Sequence, residues 1–276
     1  MNGGRFNMLG AIAGDVIGSV YEFSNHRYKE FELLKDDCFF TDDTVMTIAV
    51  CEALMDSCPD EDDNDIRERI IDSMKKYGRR YPFCGFGGHF FRWVLGPERK
   101  PYNSFGNGSA MRVSSAGWLY DDIETVRRMA VLTADVTHSH PEGIKGAECI
   151  ASLIFLARNG ASKDELRRYA QVEFGYDLEF TCDGIRDTYM FNETCQETVP
   201  QAIVSFLEGD DFEDVIRTGV SIGGDTDTLC AIAGSIAEAY YGMPEDIRLR
   251  VLEFLEGEDE LMKVIDRFVC RISDKK

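Results

Sequence analysis

Two short acidic segments are the residues of this sequence best suited to chemistry. Residues 41–44 read Thr-Asp-Asp-Thr, and residues 225–228 read Asp-Thr-Asp-Thr after the pair Gly223 and Gly224. Each segment offers two carboxylates and two hydroxyls, the oxygen ligands that hard cations such as Mg²⁺ and Mn²⁺ prefer. Each also precedes a helix-like run of small and apolar residues, so a fold that joins the two helix starts would close one site for one or two metal ions.

A simpler role for either segment is to cap the helix that follows it. Thr or Asp before a helix satisfies free amide groups, and acidic side chains are favoured at the positive end of the helix dipole. Capping explains one Asp of residues 41–44 but not two acids between two threonines, so we predict capping combined with metal ligation. At residues 225–228 the preceding glycines allow close backbone approach, and an extended turn would direct Asp225 and Asp227 to the same side.

A glycine-rich helix pattern precedes the first acidic segment. Glycines recur at every fourth position of residues 10–18, which predicts close packing against another helix. Asp15 lies within this pattern and either makes a hydrogen bond in the core or belongs to the site. Glu22 lies just beyond the pattern, where its carboxylate could reach a metal centre.

Two loop-like segments are the remaining candidates. Residues 103–112 read as a loop that enters a helix, and the amides of such an end suit a phosphate group, although a plain helix entry explains the pattern equally well. Residues 137–143 place His138 and His140 before Pro141. An all-oxygen metal site needs no imidazole, so hydrogen bonding to a substrate, ordering of a loop, or a structural His-Pro turn is preferred over metal ligation by histidine.

The composition restricts the class of protein. The chain has 276 residues and a formal net charge of −20, which argues against nucleic acid as a general partner. The run at residues 60–65 is predicted to be a loop and a helix start, where acids suit the helix dipole. No apolar stretch reaches the ~18 residues of a membrane span.

The cysteines indicate a reducing compartment. Nine cysteines occur without a metal-binding spacing, and they are predicted to be free, mostly buried thiols. Those within apolar runs are Cys51, Cys149, Cys230 and Cys270. With no signal peptide recognisable at the start of the sequence, we predict a cytoplasmic protein.

The dominant hydrophobic period along the chain is helical. Helices are predicted over residues 8–20, 43–56, 65–78, 86–95, 109–119, 122–135, 143–159, 162–172, 198–208, 211–220, 227–241, 244–256 and 258–273. Residues 31–40 are the best candidate for a short extended segment, and residues 174–197 for a long surface loop or cap. These patterns predict an all-α domain, a compact multi-helix bundle.

Taken in order, the five motifs resemble the ADP-ribosylglycohydrolase family, which includes the dinitrogenase-reductase-activating glycohydrolases. The resemblance covers nearly the whole chain and implies one orthogonally packed, all-helical domain over residues 1–276 with two Mg²⁺ ions, or Mn²⁺. The metal ligands that it implies are Thr41, Asp42, Asp43, Asp225, Asp227 and Thr228. It makes Glu22 a candidate for the catalytic acid or base, and for the mechanism we expect either Asp43 or Glu22 to take the proton of the attacking water.

The resemblance also implies a substrate. Family members hydrolyse the bond between ADP-ribose and an acceptor, most often a protein arginine, so the expected partner is an ADP-ribosylated protein or a small ADP-ribose conjugate. The residues expected to bind the substrate are Asn107, Gly108, Ser109, Met111 and His138. Tyr189, Phe191 and Asn192 are weaker candidates for the adenine side. The alternatives are a non-catalytic ADP-ribose-binding module and a nucleotide phosphohydrolase.

Overall fold

A computed structural model describes residues 8–24 and 26–273, and within this part every regular element is a helix. Residues 1–7, 25 and 274–276, which the predicted domain includes, lie outside it. The helices are α1 (Leu9–Gly18), α2 (Asp42–Met55), α3 (Asp63–Arg80), α4 (Gly88–Leu95), α5 (Gly108–Met111), α6 (Ser114–Leu119), α7 (Ile123–Asp135), α8 (Pro141–Arg158), α9 (Lys163–Phe174), α10 (Cys182–Ile185), α11 (Cys195–Glu208), α12 (Phe212–Ile222), α13 (Thr226–Tyr241), α14 (Glu245–Glu253) and α15 (Asp259–Ser273). The predicted all-α fold is confirmed.

The departures from the predicted elements fall where long-range contacts decide the backbone. Residues 31–40 form turns and bends instead of a strand; the carbonyl of Phe31 accepts a hydrogen bond from Arg217, 2.7 Å away, instead of from a neighbouring strand. The predicted helix over residues 109–119 divides into α5 and α6. The segment predicted as a loop, residues 174–197, contains α10, the start of α11 and an isolated bridge between Gly106 and Thr194.

Close packing of α1 against α13 forms the centre of the fold. A Cβ atom at Gly14 would lie 2.0 Å from the carbonyl oxygen of Cys230, and one at Gly18 would lie 2.4 Å from that of Thr226. No side chain larger than hydrogen fits such distances, so the prediction of close helix packing for the glycines is confirmed. Because the helices touch along their backbones, Asp15 lies beside the start of α13.

The first fourteen residues of helix α13 are all buried. This helix packs against α1, α8, α11 and α12, while α2 packs against α1, α3, α6 and α15. The two helices that carry the acidic segments are thus both internal. Their first turns therefore face one another inside the protein instead of solvent.

The cysteines are free thiols, as predicted, and six of the nine are buried. Cys270 is a correction, because it is exposed on α15 although it follows an apolar run. The acidic run also behaves as predicted: Asp62 caps α3 by accepting a hydrogen bond from the amide of Asn64 at 2.8 Å. Within the described residues, no helix combines the length and apolar character that a membrane crossing requires.

A buried acid of α13, Glu238, lies beside the start of α1 and gives a prediction for stability. Glu238 of α13 accepts a hydrogen bond from the amide of Gly10 at 2.8 Å, and burial raises the pKa of its carboxyl to about 8. The folded protein therefore holds a proton that the unfolded chain releases from about pH 4.5 upward, so stability falls as the pH rises to about 8. We expect Glu238→Gln to leave stability unchanged near pH 4.5 and to raise it by roughly 1–3 kcal/mol at pH 8.5.

Thermal unfolding at several pH values tests this, with Glu256→Gln as the control because Glu256 is exposed. A stabilisation by Glu238→Gln that is the same at both pH values would contradict a titration of Glu238.

Candidate metal centre and adjoining loop

Asp15 organises the first acidic segment. Its buried carboxylate accepts hydrogen bonds from the amide and hydroxyl of Thr41, at 2.9 and 2.7 Å, and from the amide of Thr44 at 3.0 Å. The hydroxyl of Thr44 donates to it as well. Asp15 therefore fixes the first turn of α2 against α1, which answers the question that the sequence left open: its carboxylate is committed to positioning residues 41–44.

Asp42 and Asp43 begin α2, with Thr41 as the N-cap residue. The amide of Asp42 donates to the carbonyl oxygen of Cys84 at 2.7 Å, and the amide of Asp43 donates to the Thr41 hydroxyl at 3.3 Å. Asp43 is buried, and its Oδ1 atom has no hydrogen-bond partner among the described residues. The predicted cap is therefore present, and it leaves a carboxylate oxygen that the protein itself does not satisfy.

The second acidic segment follows a turn that needs glycine. Gly223 and Gly224 have φ values of 68° and 84°, a region that other residues rarely adopt. The Thr226 hydroxyl then donates to the carbonyl oxygen of Gly18 at 2.9 Å, which ties the start of α13 to the end of α1. The amide of Thr228 donates to the Asp227 carboxylate at 2.9 Å. This turn and its hydrogen bonds fix the positions of both carboxylates.

The two acidic segments meet, as the sequence predicted. The Thr228 hydroxyl donates to Oδ2 of Asp43 at 3.2 Å, across 185 positions of the chain. One carboxylate oxygen each from Glu22, Asp225 and Asp227 lie within 4.8 Å of one another. Asp42 lies close to Gly85: a Cβ atom added at Gly85 would lie 3.1 Å from Oδ1 of Asp42. The fold thus gathers the carboxylates of α2, α13 and the segment after α1 into one cluster, with two of the predicted ligands joined directly.

Without a cation, ionising the buried carboxylates of this cluster costs folding free energy. Burial raises the pKa of Asp42, Asp43 and Asp227 well above the usual range, and the neighbouring carboxylates raise it further. Burial, then the charges of Asp225 and Glu193, raise the pKa of Glu22 to about 7. Among the described residues no lysine or arginine forms an ion pair with these acids. Buried carboxylates that lack a protein cation, one of them with an unsatisfied oxygen, fit a divalent metal ion.

The glycine-rich loop that contains Asn107 adjoins the cluster and packs against His138. The side-chain amide of Asn107 donates to the Asp225 carboxylate at 2.7 Å, which links the glycine-rich loop to the acidic segment. Beyond it, a Cβ atom at Gly106 or Gly108 would lie 3.4 or 3.3 Å from Nε2 of His138. The absence of side chains at these glycines therefore allows the loop to lie close to the imidazole.

His138 is buried in an environment that favours its neutral form. Burial and the nearby Arg112 guanidinium lower its pKa well below the usual value. The Thr137 hydroxyl accepts a hydrogen bond from Arg112 at 2.9 Å and is itself hydrogen-bonded to Nδ1 of His138, 2.7 Å away. The Nε2 side of the ring faces Gly106 and Gly108. His140 instead accepts from the amide of Glu142 at 3.1 Å and caps α8.

Ser109 and Met111, which are also predicted to bind substrate, each form a hydrogen bond within the protein. The Ser109 hydroxyl donates to the carbonyl oxygen of Gly143 at 2.7 Å, and Met111 is buried with its carbonyl oxygen accepting from the Thr47 hydroxyl at 3.3 Å. The Ser109 side chain therefore positions the start of α8. Both residues remain predictions as ligand contacts.

Comparison with known protein families shows the family to which this chain belongs. A family model described as ADP-ribosylglycohydrolase matches residues 6–276. The chain belongs to the ADP-ribosylglycohydrolase family. It is accordingly an enzyme, a hydrolase of ADP-ribosyl bonds, and the resemblance seen in its motifs is confirmed.

Several proteins of this kind are similar to this ADP-ribosylglycohydrolase. ADP-ribosylhydrolase ARH3 of Mus musculus is 28% identical, with 86% of this chain and 83% of the relative covered. The ADP-ribosylarginine hydrolase Tri1 of Pseudomonas putida is 28% identical over a shorter stretch, 50% of this chain and 39% of the relative. A solved structure titled ADP-ribosylglycohydrolase-related protein complex superposes with a TM-score of 0.72 at 23% identity and 96% coverage of both chains. That likeness confirms the fold.

One residue of this ADP-ribosylglycohydrolase that sequence reasoning missed is Arg27. Its guanidinium donates to the carbonyl oxygen of Tyr189 at 2.8 Å and also to those of Arg186 and Ile222. It therefore ties the segment that follows Glu22 both to residues 186–189 and to the end of α12, directly before Gly223. No motif marks this arginine, because its three acceptors are backbone carbonyls more than 150 positions away in the sequence.

Proposed function

We propose that this enzyme is a divalent-metal-dependent hydrolase that cleaves the glycosidic bond between ADP-ribose and a modified protein, with arginine as the acceptor. The observation that carries the proposal is the meeting of the two acidic segments and the half-buried Glu22 in one cluster, whose acids form no ion pair with a lysine or arginine of the described residues. A ribose placed beside such a cluster would have metal, carboxylates and a hydrolytic water at one face.

The predicted ligands fit two Mg²⁺ ions, with Mn²⁺ as the alternative. Thr41, Asp42, Asp43, Asp225, Asp227 and Thr228 would hold them. When bound, the ions orient the ribose hydroxyls and lower the pKa of a water molecule. The threonine hydroxyls use their protons within the protein, Thr41 toward Asp15 and Thr228 toward Asp43, and each retains an oxygen lone pair for a cation.

Glu22 is the preferred base in this proposal, with Asp43 as the second candidate. The Glu22 carboxylate is half-buried, lies beside Asp225 and Asp227, and has a pKa raised to about 7, near the range useful for proton transfer. Asp43 is buried, and one of its oxygens accepts the Thr228 hydroxyl. Glu22 would take the proton of the water that attacks the anomeric carbon, and the surrounding carboxylates would stabilise the positive charge that develops on the ribose.

The other predicted residues hold the substrate or support the cluster. In this proposal Nε2 of His138 carries the imidazole proton and donates to an oxygen of a substrate that lies beside Gly106 and Gly108. Asn107 would keep Asp225 oriented through its 2.7 Å hydrogen bond. Neither residue transfers a proton in this proposal, since the pKa of His138 is far below neutrality.

The acidic residues at the exposed edge of the site support arginine as the acceptor. Glu193 is exposed near Glu22, and no ion pair in the described part of the chain occupies it. A leaving guanidinium is cationic and would be attracted to these two carboxylates. The name of the similar Tri1 protein, an ADP-ribosylarginine hydrolase, agrees with this assignment.

A panel of ADP-ribose conjugates tests the proposal. We expect release of ADP-ribose from arginine-linked protein with Mg²⁺ and its loss with EDTA, and slower cleavage of serine-linked, nucleic-acid-linked and acetyl-linked ADP-ribose. Undiminished turnover in EDTA would exclude the metal-dependent mechanism, and faster cleavage of the serine linkage would exclude arginine as the preferred acceptor. Binding of ADP-ribose without turnover of any conjugate, or release of phosphate, would identify the two alternative functions.

A further inference from the structure

Two large aromatic rings stand exposed beside Glu22. Phe23 directly follows Glu22 and has 85% of its surface exposed, and Phe191 has 45% exposed. Their ring centroids are 6.1 Å apart and their planes differ by 23°, so the rings are stacked. Met190, next to Phe191, is 69% exposed. Contiguous apolar surface of this kind is unfavourable in water unless a partner covers it.

The frame beneath these rings is held in place. Arg27 donates to the carbonyl oxygens of Arg186 and Tyr189, so the segment that carries Phe23 is tied to the one that carries Phe191. Two residues beyond Phe191, the carbonyl oxygen of Glu193 accepts the amide of Asn107 at 2.8 Å. The two rings are thus presented by a surface anchored at both ends.

The position of the rings favours the acceptor over the adenine. Residues 193–195 run antiparallel to residues 105–107: Glu193 pairs with Asn107, and Cys195 with Phe105, through backbone hydrogen bonds of 2.8 and 3.0 Å. Phe105 contacts His140 at the far end of this pairing, whereas Phe191 extends from the other end toward Phe23 and Glu22. Because Glu22 acts at the anomeric carbon in the proposed function, the rings beside it lie where the acceptor is attached.

We infer that the Phe23–Phe191 pair is a docking contact for the polypeptide around the ADP-ribosylated residue, a segment that carries apolar and basic side chains. The inference rests on the proposed function. The apolar part of the contact would cover the rings, and the exposed Glu193 two residues from Phe191 supplies charge complementarity to a basic neighbour. A conjugate of a free amino acid has no such neighbours, so the pair would distinguish modified polypeptides from small conjugates.

The test compares two substrates that share one bond. One is ADP-ribosyl-arginine as the free amino acid, and the other is the same group within a short peptide with leucine and lysine on either side; a serine-linked pair is run in parallel. For the double variant Phe23→Ala with Phe191→Ala, we expect kcat/KM on the peptide to fall about ten-fold, chiefly through KM, with the value on the free conjugate unchanged. Leu249→Ala is the control, because Leu249 is 51% exposed on α14.

Charge is tested separately. Glu193→Gln is expected to weaken binding of the lysine-containing peptide more than that of a peptide with glutamine in place of lysine, and to reduce the salt dependence of the lysine-containing peptide; an equal effect on both peptides would show that Glu193 acts on the modified arginine alone.

The outcomes separate this inference from the function on which it depends. If the wild type cleaves neither substrate of either pair, the proposed function fails and the docking contact with it. If the wild type cleaves both and the double variant loses activity equally on both, the rings contact ADP-ribose, and the docking inference alone is wrong. It is also wrong if the variant keeps full activity on the peptide, or if sedimentation shows that the double substitution turns a dimer into a monomer, since the rings would then cover a second copy.

Discussion

Substitution of Asp43 by Asn is expected to lower turnover of ADP-ribosylated substrate by about a thousand-fold or more, which corresponds to about 4 kcal/mol of transition-state stabilisation. Asp43 lies at the junction of the two acidic segments, where one oxygen accepts the Thr228 hydroxyl and the other has no partner among the described residues. Asparagine retains an acceptor for Thr228 but offers no negative charge to a cation. The loss should therefore reflect metal binding, with the fold preserved.

The same substitution is expected to stabilise the metal-free protein. Burial and the charges of Asp15, Asp42 and Asp225 raise the pKa of Asp43 well above its usual value. An acid whose pKa is raised by folding costs stability above its unfolded-state pKa, so at pH 7.5 the metal-free wild type bears this cost and the variant does not. Thermal unfolding in EDTA should give a higher Tm for Asp43→Asn, and the increase in Tm that Mg²⁺ causes in the wild type should be lost or much reduced.

The control is Asp266→Asn, since Asp266 is exposed on α15 and should change neither activity nor the response to Mg²⁺. Full retention of the Mg²⁺ response by Asp43→Asn would show that this carboxylate does not hold the ion, and wild-type turnover would exclude it from the site.

The sequence predicted the parts of this site that depend on local chemistry. Carboxylates paired with threonines at two helix starts indicated oxygen ligands, and the fourfold glycine spacing indicated the close contact that brings α1 against α13. Because that contact leaves 2.0 Å for a Cβ atom at Gly14, the spacing has a single structural interpretation. The position of the site follows from these two features, since the acidic segments begin helices that both touch α1.

The parts that could not be predicted depend on contacts between distant segments. Asp15 could have been a core acid or a site residue, and only the fold shows that it accepts the amides of Thr41 and Thr44. Arg27 bonds to carbonyl oxygens, which every residue has, so no pattern in the sequence identifies its acceptors. The division between α5 and α6 lies at Arg112, whose buried guanidinium donates to Thr133 and Thr137 on another part of the chain. Helical periodicity contains none of this information.

Substitution of Glu22 by Gln is the second change expected to have a large effect, because it separates proton transfer from metal binding. A general base typically contributes about 10²–10⁴-fold, so we expect kcat to fall by that factor. Glu22 is half-buried at the edge of the cluster, and the buried Asp43, Asp225 and Asp227 remain in the variant. Calorimetric titration should therefore show Mg²⁺ binding within about ten-fold of the wild type.

The pH profile of the wild type shows which role Glu22 has. A base must be deprotonated, so kcat/KM should rise with pH to a plateau at or below the pKa of about 7 that burial and Asp225 impose, since bound cations favour the charged carboxylate. If Glu22 instead protonated the leaving group, activity would fall as the pH rose through the same value. The rise of kcat/KM with pH should be absent from Glu22→Gln. It should persist in the control Glu30→Gln, because Glu30 is exposed in the same segment. If kcat/KM of Glu22→Gln still rises with pH in this range, Asp43 would be the base instead. Its carboxyl has a strongly raised pKa, and its Oδ1 atom has no hydrogen-bond partner among the described residues.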